Sequence, residues 1–258
     1  MSTDSHLDLR AAARTALACL DLTSLNDADT AADIDALCAR AQTAHGPVAA
    51  VCVWPRFVAQ ARAALPAAIK VAAVANFPDG ALDLPRALAD VAAIAQAGGD
   101  EVDVVLPYRA LLADQSTEVA EFLSEVRFAS RPLTLKVIIE SGELASAERI
   151  AQATRLALAA GADFVKTSTG KTKTGATPDA AAVMLKEIKA SGLSSAGFKA
   201  SGGVRSVADA AGYIAQAAAA LGAEALNPQR LRFGASGLLN DIEAVLAGAE
   251  SAAVDAAY

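Results

Sequence analysis

The stretch whose residue types suggest chemistry is residues 164–171, Phe-Val-Lys-Thr-Ser-Thr-Gly-Lys. Its first residues predict a short buried strand that runs into a polar loop. Lys166 lies where such a strand would carry an aliphatic side chain, and desolvation there disfavours the charged ammonium group. One interpretation is an amine nucleophile for a carbonyl carbon. The other is a lysine at a strand end whose ammonium group reaches water. The segment alone favours neither.

Three of the eight lysines, Lys136, Lys166 and Lys199, fall in predicted strands. Burial makes one such lysine tolerable, whereas three together predict a shared polar site. Neighbouring ammonium groups lower each other's pKa, so a lysine with an ordinary pKa of about 10.4 could fall to roughly 7–8. We expect Lys199 to lower the pKa of Lys166 in this way. Asp103 and Glu140 supply carboxylates that could balance the charge and move protons.

Glycine-rich polar loops follow the last three predicted strands, at residues 169–171, 201–205 and 234–237. The last two loops run into predicted helices, and free amides at helix N-termini bind phosphate. Barrels commonly place a phosphate site after strands seven and eight. The alternative is that these glycines only form tight turns, but two such loops in consecutive positions favour phosphate.

Eight apolar strands alternate with helices, which predicts an α/β fold, a (β/α)₈ TIM barrel. We expect one domain over residues 1–258, with a short N-terminal helix and a mobile C-terminal tail from about residue 250. The rival is an open doubly wound sheet, but the turn after Thr23 lacks its glycine fingerprint. The predicted strands are 19–23, 49–54, 70–77, 102–106, 133–140, 164 onward, 197–200 and 231–235.

A weak internal repeat relates residues 97–103 to residues 160–166, with Ala, Gly, Asp and Val in common. The two units begin the fourth and sixth strands. Alternate strands of a barrel place their side chains in the same interior layer. The repeat therefore predicts that Asp103 and Lys166 lie at the same height inside the barrel.

Composition excludes several classes of function. A net charge of −7 argues against a general nucleic-acid binder. The three cysteines, Cys19, Cys38 and Cys52, form no ligand pair and no even disulfide set, so we expect reduced thiols and a cytoplasmic protein. With only His6 and His45, a histidine-ligated zinc site is not expected. We expect no signal peptide and no membrane span, because residues 1–6 lack its basic and apolar segments and no uncharged run reaches the ~18 residues that a span requires.

Taken together, these motifs resemble the deoxyribose-phosphate aldolases, a family of class I, Schiff-base-forming aldolases. The likeness runs almost from end to end. It rests on residues 21–23, 51–57, 100–105, 135–140, 164–171 and 232–236.

The resemblance assigns roles to individual residues. Lys166 corresponds to the Schiff-base lysine, Lys199 to the lysine that tunes it, and Asp103 to the proton-transfer carboxylate. Two positions depart from the family pattern, since Ser201 replaces a proline of some relatives and Gly237 replaces a serine. The residues that fall at the phosphate end are Gly170, Lys171, Gly202, Gly203 and Ser236, and Gly237 is expected to bind substrate with them. We also expect accessory roles for Lys136, Asp21, Thr169 and Tyr258, although Asp21 could instead cap the turn after the first strand.

The resemblance also implies an activity, an aldehyde-lyase reaction. It is the reversible cleavage of 2-deoxy-D-ribose 5-phosphate to D-glyceraldehyde 3-phosphate and acetaldehyde, in deoxyribonucleotide catabolism. No cofactor or metal is implied, and the expected partners are a phosphorylated sugar, aldehydes and a second copy in a homodimer, without nucleic acid or membrane. The rivals are another class I sugar-phosphate aldolase and a binding or isomerase barrel whose lysines only hold phosphate. By the family pattern Tyr258 reaches the active site, whereas an inert tail is the alternative.

Overall fold

Within residues 8–251, which the computed structural model describes, eight parallel strands close into a barrel. Each strand pairs with its neighbours in sequence, and the eighth pairs with the first. The predicted (β/α)₈ barrel is therefore confirmed, with all eight strands near their expected positions. The strands are β1 Leu20–Thr23, β2 Ala50–Val53, β3 Lys70–Ala75, β4 Glu101–Val105, β5 Thr134–Ile138, β6 Phe164–Lys166, β7 Gly197–Ser201 and β8 Leu231–Ala235.

Helices cover the outside of the barrel, and their ends follow the local sequence. The expected N-terminal helix begins after Asp8, whose carboxylate accepts hydrogen bonds from two backbone amides of its first turn. Thr177 caps a later helix that has proline at its first position. The helices are α1 Leu9–Ala18, α2 Ala31–Arg40, α3 Val58–Ala64, α4 Leu84–Gln96, α5 Tyr108–Leu112, α6 Ser116–Ser130, α7 Ser141–Leu144, α8 Ala147–Ala159, α9 Pro178–Ala190, α10 Val207–Leu221 and α11 Leu238–Leu246.

The internal repeat corresponds to a structural unit that joins a helix to two strands. Asp100 accepts hydrogen bonds from Arg62 Nη1 (2.7 Å) and from the amide of Val71, the second residue of β3 (2.9 Å). Asp163 repeats the arrangement with Arg127 Nη1 (3.0 Å) and with the amide of the second residue of β5 (2.8 Å). The aspartate thus ties the start of the preceding strand to the preceding helix.

The apolar core lies mainly between the barrel and the helices and is built largely from Ala, Val, Leu and Ile side chains. The barrel interior, in contrast, holds buried charged side chains from six strands. The surrounding fold therefore positions a layer of charged side chains inside the barrel.

None of the helices in residues 8–251 has the length and apolar character needed to cross a membrane.

The repeat unit predicts matched effects on stability. Asp100→Asn should lower the free energy of unfolding by about 1 kcal/mol, because a charged acceptor of two hydrogen bonds is lost. Asp163→Asn should have the same sign but a smaller size, since this side chain is 44% exposed and water screens its ion pair. Urea denaturation followed by circular dichroism measures both. The exposed Asp27→Asn serves as the control, and an equal loss there would contradict the assignment.

Candidate active site

Asp103 lies at the centre of the buried charges, on the interior face of β4. Its Oδ1 accepts a hydrogen bond from Lys136 Nζ (2.8 Å). Its Oδ2 accepts hydrogen bonds from Lys166 Nζ and from Lys199 Nζ, each at 2.7 Å. The three strand lysines therefore meet on one carboxylate. This confirms the predicted shared polar site and the predicted proximity of Asp103 and Lys166.

Two further carboxylates and a guanidinium group extend this cluster toward the amino end of the barrel. Asp21 Oδ1 accepts from Arg232 Nη1 (2.6 Å), while its Oδ2 contacts Lys199 Nζ and lies 3.4 Å from Lys136 Nζ. Glu101 pairs with Arg232 Nη2 (2.8 Å) and with Lys136 Nζ (2.5 Å). Asp21 was expected only as an accessory residue, and Glu101 and Arg232 were not foreseen. The signal was present, because both are charged residues in otherwise apolar strands.

The cluster contains one more cationic side chain than it has carboxylates. A net charge in a low-dielectric interior is costly, so the cluster is balanced when one of its lysines is a neutral amine. The cations are Lys136, Lys166, Lys199 and Arg232, and the carboxylates are Asp21, Glu101 and Asp103.

Lys166 is the lysine of this cluster whose pKa is lowered. Burial lowers it, Asp103 opposes the shift, and the charge of Lys199 lowers the pKa further. For Lys199, burial also lowers the pKa, but the charges of Asp103 and Asp21 outweigh it and the net shift is upward. The pKa of Lys136 is raised too, since three carboxylates oppose its burial. The expected lowering by a neighbouring lysine is therefore present at Lys166 and also at Lys199, where the charge of Lys136 acts, but only at Lys166 is the net shift downward.

Burial alone would raise the pKa of Asp103, but the ammonium groups of the lysines hold it well below its usual range. The same competition lowers the pKa of Asp21, where Arg232 has the largest opposing effect. Both groups are therefore carboxylates at neutral pH. Asp103 is a weak base in this state and takes a proton only from a strongly acidified group.

Glu140 does not join the lysine cluster, contrary to expectation. It follows β5 with a left-handed backbone (φ 53°), which turns its side chain toward the loop after β6. Its Oε2 accepts from Thr169 Oγ1 (2.6 Å) and its Oε1 from Thr172 Oγ1 (3.2 Å). Burial raises its pKa. Glu140 thus holds the shape of this loop.

A cavity of about 320 Å³ opens at the carboxyl ends of the strands, above the cluster. Lys166 lines it, whereas Asp103, Lys136 and Lys199 lie buried beneath. A larger cavity of about 720 Å³ lies at the amino end, but Lys166 and the predicted phosphate loops are not among its lining residues. The smaller cavity is therefore the candidate active site. Its other predicted lining residues are Thr169, Gly170, Lys171, Gly202, Gly203, Ser236 and Gly237. Arg205 belongs to the predicted loop 201–205 but was not singled out, and Ser24 and Asn26 were not foreseen.

The expected free amides exist at one of the two helices. Among the described residues, no side chain caps α11, which begins directly after Gly237. At α10 the prediction is wrong, because its first amides already have acceptors. The amides of the first two residues donate to Asp241 Oδ2 (2.7 Å) and Ser251 Oγ (3.3 Å), and Ser206 and Asp209 form a reciprocal capping box. The loop before α10 instead presents Gly202 with φ +83°, a conformation that favours glycine. This loop packs closely on the loop after β6.

Gly234 makes room for the lysine cluster. A Cβ atom on this residue of β8 would lie 3.0 Å from Lys199 Cε and 2.8 Å from Ser201 Cβ. Its absence lets the side chain of Lys199 cross toward β1. Ser201, the departure from the family proline, donates from Oγ to the carbonyl oxygen of Ser168 (2.5 Å) and so joins β7 to the loop after β6.

Lys171, a predicted phosphate-binding residue, lies at the cavity rim. Its Nζ donates to the carbonyl oxygen of Leu25 (2.7 Å) and so joins two loops.

The predicted C-terminal tail is only partly described. Tyr258 and residues 252–257 lie outside the described residues. The beginning of the expected tail is held, because Ser251 Oγ donates to Asp241 Oδ2 (2.7 Å).

The contacts of two lysines predict unequal costs for their substitution. Lys136→Met removes an ammonium group that three carboxylates contact, and should lower the free energy of unfolding by about 3–5 kcal/mol. Lys166→Met removes an ammonium group that contacts one carboxylate, Asp103, which two other lysines still contact, so its free energy of unfolding should change by less than about 1 kcal/mol. Chemical denaturation at pH 7 measures both. Similar losses in the two variants would contradict this difference.

Comparisons with known proteins place the chain in a family. The model of the DeoC/LacD family aldolases matches residues 15–244. The deoxyribose-phosphate aldolase of Agrobacterium fabrum is 45% identical over 252 residues, which cover 96% of this chain and 97% of that protein. Two solved structures, each described as a candidate deoxyribose-phosphate aldolase, share the fold. The protein from Toxoplasma gondii ME49 has a TM-score of 0.85 at 25% identity (93% of this chain, 96% of that one), and the protein from Coccidioides immitis has 0.77 at 30% identity (90% and 87%). The chain belongs to the DeoC/LacD family of aldolases.

Proposed function

We propose that this aldolase cleaves 2-deoxy-D-ribose 5-phosphate to D-glyceraldehyde 3-phosphate and acetaldehyde through an imine on Lys166. The observation that carries the proposal is the position of one lysine. Lys166 has a lowered pKa within a buried cluster that has one cation more than it has carboxylates, and it lines the cavity at the carboxyl ends of the strands. The name of the relative from Agrobacterium fabrum supports the choice of substrate.

The first step is imine formation. The neutral amine of Lys166 adds to the aldehyde carbon C1 of the open-chain sugar, and loss of water gives an iminium ion. Lys199 keeps its proton because the charges of Asp103 and Asp21 raise its pKa. Its ammonium group therefore favours the neutral form of Lys166 and lies close enough to donate a proton to the departing hydroxyl group.

The second step breaks the carbon–carbon bond. The iminium ion draws electrons from the C2–C3 bond while the C3 hydroxyl group loses its proton, and glyceraldehyde 3-phosphate leaves. Asp103, acting through a water molecule, accepts that proton, since it already contacts the Nζ atom of Lys166 (2.7 Å). The enamine that remains is protonated at C2, and hydrolysis of the resulting iminium ion releases acetaldehyde. The assignment of this protonation to Tyr258 stays a prediction.

The phosphate group lies at the opposite side of the cavity from Lys166 in this proposal. Gly170, Gly202 and Gly203 supply backbone amides on closely packed loops, and the start of α11 beyond Ser236 supplies amides that no described side chain caps. Lys171 adds positive charge at the rim. A dianionic group is thus neutralised locally in a protein whose net charge is −7.

The remaining expectations accompany the proposal: a homodimer in the cytoplasm, acting in deoxyribonucleotide catabolism without a cofactor. The alternative from a different class is a binding or isomerase barrel. In such a protein the lysines would only hold phosphate and would form no imine. Imine formation separates the two.

Trapping tests the nucleophile. Sodium borohydride with acetaldehyde or deoxyribose 5-phosphate should reduce the imine and add the expected mass to the peptide that carries Lys166. Lys166→Met should give no adduct, although the variant folds. An adduct on Lys136 or Lys199 would overturn the assignment of the nucleophile, and no adduct in the wild-type protein would remove the imine mechanism.

Two neighbouring substitutions test the phosphate site. Ser236→Asp places a carboxylate beside the phosphate group and should raise KM for deoxyribose 5-phosphate about tenfold or more. Gly237→Ser fits, since Gly237 has φ −91° and no described atom lies within 4 Å of an added Cβ. Its hydroxyl group should lower KM by about twofold to fivefold. Steady-state kinetics on unphosphorylated deoxyribose is the control, and equal changes on both sugars would place phosphate elsewhere.

A further inference from the structure

The ion pair of Glu101 and Arg232 has no place in the proposed chemistry, although it is almost completely buried. The two side chains are 2% and 5% exposed and meet through Glu101 Oε1 and Arg232 Nη2 at 2.8 Å. They lie at the amino end of the charge cluster, where they line the larger cavity and not the candidate active site. A barrel whose interior needed only packing would carry aliphatic residues at these positions.

We propose that Glu101 and Arg232 are positioning residues that fix the net charge of the buried cluster, and thereby keep Lys166 as the neutral amine of that cluster. This inference rests on the proposed role of Lys166 as the nucleophile. It assigns a function at the reacting amine to an ion pair at the opposite end of the barrel.

The contacts provide a short path between the two ends. Glu101 holds Lys136 (2.5 Å), and Lys136 holds Asp103 (2.8 Å), which contacts Lys166. On the other side Arg232 holds Asp21 (2.6 Å), and Asp21 contacts Lys199. Every group on both paths is buried, so water screens these charges very little.

Lys166 faces charged or titratable groups from several elements. Asp103 and Lys199 contribute most, as described above, and the thiol of Cys52 on β2 and the carboxyl group of Glu140 after β5 also face it. Near the ion pair lies the thiol of Cys19, whose pKa burial raises to about 12, so it remains neutral. Glu101 and Arg232 are therefore the outermost members of the cluster that carry a full charge.

Neutralising each member of the pair should have opposite effects. Glu101→Gln removes a negative charge, favours the neutral amine and should move the titration of Lys166 to lower pH. Arg232→Met removes a positive charge, favours the ammonium form and should move it to higher pH. At a separation on the order of 10 Å and an effective dielectric constant of about 20, each shift is about one pH unit. If the ion pair had only a structural role, the titration of Lys166 would move in the same direction in both variants or would not move in either.

The experiment measures the amine itself. Cyanate, a small reagent that carbamylates only neutral amines, is reacted with each protein over a range of pH, and mass spectrometry quantifies the modified peptide that carries Lys166. The midpoint of the pH dependence should fall in Glu101→Gln, rise in Arg232→Met and return toward the wild-type value in the double variant. The acidic limb of kcat/KM should move in the same directions.

Conservative variants and a neighbouring residue provide the controls. Arg232→Lys and Glu101→Asp keep the charge and should keep the wild-type midpoint. Arg230→Gln, in the same amino-end cavity but outside the cluster, should leave it unchanged. If Arg232→Met does not fold, Glu101→Gln carries the test, because Lys136 retains its other two carboxylates. An unmoved midpoint in folded Glu101→Gln overturns the proposal.

The readout separates this inference from the proposed function. Carbamylation reports the protonation of Lys166 whether or not the protein cleaves a sugar phosphate. Opposite shifts in a protein that forms no imine would support the positioning role and remove the imine mechanism. Imine formation in the wild-type protein, together with an unmoved carbamylation midpoint in the variants, would support the imine mechanism and remove the positioning role.

Discussion

The structure depends on the sharing of one buried carboxylate, that of Asp103, among three ammonium groups. Removing this carboxylate from water is costly, and the three ammonium groups offset that cost. They come from β5, β6 and β7, so their ion pairs join these strands to β4. The cluster also has one cation more than it has carboxylates, and the same arrangement that stabilises the interior lowers the pKa of Lys166.

The barrel makes this sharing possible through its geometry. Parallel strands bring side chains two residues apart to the same interior face, so Glu101 and Asp103 form successive layers along β4. Lys136 pairs in register with Asp103, while Lys166 pairs in register with Lys199. The flexible lysine side chains then converge on one carboxylate from different heights. Gly234 provides the space for one of them.

Much of this could be predicted from the sequence, because the relevant signals are local. Short segments are enough to show three of these signals. They are apolar strands that alternate with helices, helix caps such as Thr177, and lysines within apolar strands. The repeat placed Asp103 beside Lys166, since equivalent positions in alternate strands of a barrel share a layer. The glycine loops indicated a cavity rim for the same reason, as all of them follow strands at one end of the barrel.

Local sequence patterns are enough to predict the barrel, the three-lysine site and the end of the barrel where it opens. Which charges meet depends on the closed barrel. Glu140 follows the same strand as Lys136, yet its left-handed backbone turns it toward Thr169, while Arg232 and Glu101 join the cluster from strands far apart in sequence. That the pKa is lowered at Lys166 and raised at Lys136 and Lys199 also depends on the folded arrangement. A pKa is set by burial and by the sum of all neighbouring charges, and these distances exist only once the barrel closes.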